Sequence, residues 1–172
     1  MNMEKLLKSP AGRVAVTGIL AALALILGVL ESMLPTVISV PGIKLGLSNI
    51  AVVLAVYLLG KGEGFAVMIT KVLLSALLYA GINGLIYSAM GGAFSFFVIG
   101  ILYKCKSFSV VGVSAAAGAA HNIGQIFAAI IVVKSAALLN YLPVLVIAGC
   151  ISGLLTGIIC SLMIEKIFLE KL

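Results

Sequence analysis

VVGVSAAAGAAHNIGQIFAAIIVV, Val110 to Val133, is a run of small and apolar residues broken near its centre by His121, Asn122 and Gln125. As a helix it would be roughly 36 Å long at 1.5 Å per residue, enough to cross a hydrocarbon core of about 30 Å. In a soluble core the three polar groups could satisfy one another, whereas in lipid they are costly unless something uses them. Composition decides between these settings. The 172 residues are 63% hydrophobic and 9% charged, with a mean hydropathy of +1.34, against about 45–50% and 25% in an ordinary globular domain. The run therefore reads as a membrane-spanning helix, and the chain as an all-α, polytopic membrane protein.

Apolar runs punctuated by Gly, Pro and Lys predict six transmembrane helices, at about 13–34, 44–59, 64–79, 83–103, 110–133 and 143–166. They form one integral-membrane domain spanning residues 1–172. Lys5, Lys8 and Arg13 precede the first run like the basic part of a signal peptide, but Glu31 to Pro35 offers no small-residue cleavage site. The first run is kept as a permanent helix. With both termini cytoplasmic, Lys5, Lys8, Arg13, Lys61, Lys104, Lys106, Lys166 and Lys171 fall inside, while only Lys44 and Lys134 fall outside. This rule explains the net charge of +6 without nucleic acid as a partner. Cys105, Cys150 and Cys160 have no ligand-like spacing, so neither a disulfide framework nor a metal site is indicated.

That orientation places most of the intramembrane polar residues in the outer half. Glu31 closes the first helix, and Lys44 and Asn49 open the second. Lys71, Ser75 and Tyr79 share one face of the third, and Asn83 and Tyr87 lie four apart on the fourth. His121, Asn122 and Gln125 occupy an arc of roughly 100° on the fifth. The asymmetry favours an outward-facing binding pocket, although the trio could equally be bonds between helices, Lys71 could snorkel to the inner surface, and Lys71 could simply pair with Glu31. Lysines outnumber acids there, which favours a small anionic ligand with an apolar or aromatic portion, served by Tyr79, Tyr87 and Phe127. On the inner half of the first helix, Ala11, Ala15, Gly18 and Ala22 form a stripe of small residues. It would suit packing within the bundle or docking of another protein.

PGIKLGLSNI from Pro41 to Ile50, this stripe, the six short helices and GAAHNIGQ from Gly118 to Gln125 together resemble the Gx transporter family of bacterial membrane proteins. These are similar to the substrate-binding S components of energy-coupling factor transporters, and the family is also described as heptaprenyl diphosphate synthase component I. The resemblance covers nearly the whole chain. It implies a multi-pass protein of the bacterial cell membrane, surrounded by membrane lipid; no cofactor is expected. It also implies that Ala11, Ala15, Gly18 and Ala22 contact a transmembrane coupling subunit driven by two ATPase subunits. Gly18 stands where the pattern has alanine and keeps the site small.

The alternative is an accessory subunit binding a prenyl substrate for a separate catalytic subunit. Prenyl synthases hold magnesium and diphosphate with paired aspartates. This chain has no aspartate, and its five glutamates are scattered, so it is not predicted to catalyse the reaction itself. GKGEG at Gly60 to Gly64 lacks the phosphate-loop pattern and reads as a tight turn. His121 has no neighbouring acid to orient it and no nucleophile elbow.

Overall fold

The computed structural model describes residues 3–33 and 46–169, and among them every regular element is helical. A stub, α1 (Met3–Lys8), leads into α2 (Pro10–Met33). Ser9 starts α2: its Oγ accepts from the Gly12 amide at 3.1 Å, and Pro10 occupies the first turn, where no amide donor is required. Then follow α3 (Asn49–Leu58), α4 (Lys61–Ser75), a π-helical turn (Ala76–Ala80), α5 (Gly81–Leu102), α6 (Val110–Val133), a 3-10 turn (Ala136–Tyr141) and α7 (Leu142–Leu169). The helix predicted over 110–133 has those bounds. Ser109 caps its start, and Lys134 ends it in the left-handed conformation at φ 53°.

Four segments are long and apolar enough to cross a membrane: Pro10–Met33, Lys61–Leu102, Val110–Val133 and Ala136–Ile167. Their outward faces carry large apolar side chains such as Ile19, Leu77, Ile82, Phe97 and Ile147. In water such a surface would be an association hazard. The chain is a membrane protein.

The Lys61–Leu102 segment folds back on itself. Phe65 meets Phe96 with ring centroids 5.5 Å apart, and a Cβ placed on Gly92 would lie 3.3 Å from Met68 Sδ. Both pairs straddle Gly81, whose φ of +65° lets the backbone reverse there. The result is an antiparallel helical hairpin, each arm about 30 Å long at 1.5 Å per residue.

The second predicted helix is corrected. Helix α3 begins at Asn49, not near residue 44, because Gly46 adopts φ +72° and residues 46–48 form a turn. Ten residues give roughly 15 Å, half the thickness of a hydrocarbon core. Every residue from Ile50 to Val56 is buried, as expected for a helix apolar on all sides. It sits among α2, α4 and α7 with its amino end inside the protein.

Helices α5, α6 and α7 pack in sequence through glycine. Gly149, Gly153 and Gly157, each four apart, line one face of α7. A Cβ on Gly153 would strike the Ser114 carbonyl and lie 2.7 Å from Ala115 Cα, and one on Gly157 would lie 2.7 Å from Val111 Cα. Across α5 and α6, Gly124 and Gly91 allow the same approach. Small residues let backbones meet and gain dispersion contact where lipid supplies no hydrophobic drive.

Candidate binding site within the bundle

The amino end of α3 carries the first part of the site. Lys71 lies ten residues into α4, about 15 Å along it, and is 8% exposed. Its Nζ donates to Asn49 Oδ1 at 2.6 Å. Glu31 Oε1 accepts from the Gly46 amide at 2.5 Å, tying the end of α2 to the turn before α3. Ser48 and Ser75 are buried beside this region. Tyr79 sets its hydroxyl against Gly28, where a side chain would collide with it.

Asn49 also borders a small, mostly apolar cavity whose polar lining comes from Ser95 on α5, Ser114 on α6, and Ser152 and Thr156 on α7. Its volume of about 10 Å³ is close to the space needed for one water molecule. Ser152 Oγ and Thr156 Oγ1 donate to carbonyls of their own helix, at 3.1 and 3.0 Å. Ser114 Oγ is buried without a hydrogen-bond partner among the described residues.

The polar trio of α6 is divided between two neighbouring helices. His121 and Gln125, one turn apart, face α5: a Cβ on Gly91 would lie 2.8 Å from His121 Cε1 and 2.9 Å from Gln125 Cγ. Asn122 turns the other way and donates to the Leu145 carbonyl of α7 at 2.8 Å, which is the helix-to-helix role weighed against binding. Gln125 is 3% exposed, yet neither its Oε1 nor its Nε2 has a partner among the described residues. An unsatisfied buried amide costs about 1–3 kcal/mol.

Other expected site residues stand apart. Asn83 is exposed beside the Gly81 turn, Tyr87 is half-buried, and neither makes a hydrogen bond among the described residues. Lys44 lies outside the described residues. The sequence reading missed Ser95, Ser114, Ser152 and Thr156. Ser114 is only four residues from the start of α6, so buried polarity is not confined to the half of the bundle that holds Lys71. The signal was present as Ser152 and Thr156 at helical spacing, but hydroxyls that bond their own helix are weak markers.

The docking stripe has a clear position. Ala11, Ala15, Gly18 and Ala22 are all exposed on α2, whereas Gly12, Leu20, Ala21, Ala24 and Gly28 are the buried positions. A Cβ on Gly18 would meet nothing within 4 Å. At the same end of α2, Arg13 Nε donates to Glu63 Oε1 at 2.8 Å and its Nη2 to the Leu59 carbonyl at 2.5 Å, fastening α2 to the turn between α3 and α4.

A family model described as heptaprenyl diphosphate synthase component I matches residues 20–163. The chain belongs to that family. The family name denotes a component of a synthase rather than its catalytic subunit, which is consistent with a chain that is not itself an enzyme. Neither a curated protein nor a solved structure matches the chain.

Proposed function

We propose that this chain is the membrane-embedded accessory subunit of a heptaprenyl diphosphate synthase, holding a prenyl substrate for a separate catalytic subunit. The single observation that carries this reading is its membership of the component I family across residues 20–163. The interior supports an anionic ligand with an apolar part. Lys71 brings positive charge to the amino end of α3, and the partial positive charge of that helix end adds to it. Asn49, His121 and Gln125 supply directional polar contacts, and the surrounding helices supply apolar area.

A second reading is favoured by one specific observation, the exposure of Ala11, Ala15, Gly18 and Ala22. A smooth face on an otherwise bulky helix suits a partner helix packed closely against it. On this reading the chain is the S component of an energy-coupling factor transporter, binding its ligand from outside and docking onto a coupling subunit with two ATPases. Both readings share a multi-pass chain with cytoplasmic termini in a bacterial cell membrane.

Purification of the tagged chain from native membranes in mild detergent tests them. Co-purification of a prenyltransferase, with product length changing when this chain is deleted, supports the first. Co-purification of coupling and ATPase subunits, with uptake that requires ATP hydrolysis, replaces it with the second.

A further inference from the structure

The end of the α4–α5 hairpin opposite Gly81 gathers charge around one ring. Lys61 Nζ lies 5.0 Å and Lys104 Nζ 5.6 Å from the centroid of Tyr103. Tyr57 braces the same ring edge-on at 6.3 Å. Lys61, Lys104 and nearby Lys106 are exposed, and no carboxylate among the described residues forms a salt bridge with any of them. The acid closest in sequence, Glu63, is taken by Arg13.

Directly along the hairpin the character changes. Phe65 is one turn from Lys61 on the same face of α4 and packs against Phe96, which lies two turns from Tyr103 on α5. Phe65 remains 49% exposed, so it offers an aromatic wall beneath the cationic rim.

We propose that this surface binds a phosphate-headed amphiphile, with the head between Lys61 and Lys104 and the chain along Phe65 and Phe96. Lysines attract phosphate as compact charges, and the ring holds both ammonium groups in place while leaving their outer sides to an anion. Two sources share this chemistry: an anionic phospholipid of the bilayer and a prenyl diphosphate. The site is separate from the Lys71–Asn49 region and does not depend on which partner the subunit serves.

The test uses the full chain in phosphatidylcholine nanodiscs, titrated separately with phosphatidylglycerol, farnesyl diphosphate and inorganic pyrophosphate, and read by native mass spectrometry. At least one of the two amphiphiles should bind, and the tighter one identifies the source. The double variant Lys61→Gln with Lys104→Gln should weaken that binding about 30-fold, as expected for two lysines near a charged surface. Lys61→Arg with Lys104→Arg should retain it. Both pairs are exposed, and unchanged melting temperatures verify that the variants fold. Wild-type affinity in the glutamine pair, or pyrophosphate binding as tightly as either amphiphile, overturns the proposal.

Discussion

Lys71 on α4 and Asn49 at the start of α3 meet through a 2.6 Å hydrogen bond in the interior of the bundle. A cation is thereby fixed at the amino end of a half-length helix, where two positive features reinforce each other. An anionic group placed beside them would be favoured by both features.

Lys71→Met should therefore weaken binding of the ligand retained on mild purification by about 10- to 150-fold, the scale of a charge-assisted contact. Calorimetric titration of the folded variant measures this. Unchanged affinity removes Lys71 from the site.

Gln125→Leu separates binding from stability in the opposite sense. Its amide is buried without partners, so an apolar side chain of similar size should raise stability by about 1–3 kcal/mol in the ligand-free protein. Thermal unfolding in detergent reads the change. A lower melting temperature would show that the amide stabilises the ligand-free fold.

Asn122→Leu should do the reverse. Loss of its bond to the Leu145 carbonyl costs about 0.6–2 kcal/mol in a membrane interior, with ligand affinity of the folded fraction unchanged. A large affinity loss would return Asn122 to the binding surface.

Gly18→Leu and Gly153→Leu form a contrasting pair. The first adds bulk where nothing lies within 4 Å, and the second drives a side chain into the backbone of α6. The first should keep the wild-type melting temperature while abolishing co-purification of any partner docked on α2. The second should cost at least 1–3 kcal/mol by overpacking and yield little folded protein. Partner retention by Gly18→Leu would assign the stripe to lipid.

The orientation is tested by membrane-impermeant thiol labelling in intact cells. A cysteine introduced at Asn140 should react from outside and one at Lys61 should not. The opposite pattern inverts the topology.

The helical runs were legible because lipid demands length and apolarity, and Ser109 and Lys134 mark both ends of α6 in the sequence. The start of α3 was not legible. Leu47 and Ile50 continue an apolar pattern through a turn that only the backbone of Gly46 reveals. The direction of Asn122 was equally hidden, since an arc of roughly 100° can face two neighbours at once. By contrast, Gly149, Gly153 and Gly157 were in plain view at a spacing of four and went unread beside the more conspicuous stripe of α2.

The close contact of α7 with α6 also limits how this gene can drift. Every missense change in a glycine codon adds at least a Cβ, and at Gly149, Gly153 and Gly157 that atom would land on or against the backbone or side chains of α6. Ile147, Ile151 and Leu155, exposed on another face of α7, can exchange for valine, methionine or phenylalanine with little penalty in lipid. Natural alleles should therefore vary along one side of a single helix and stay nearly silent along the other, a pattern readable from population sequencing without purifying the protein.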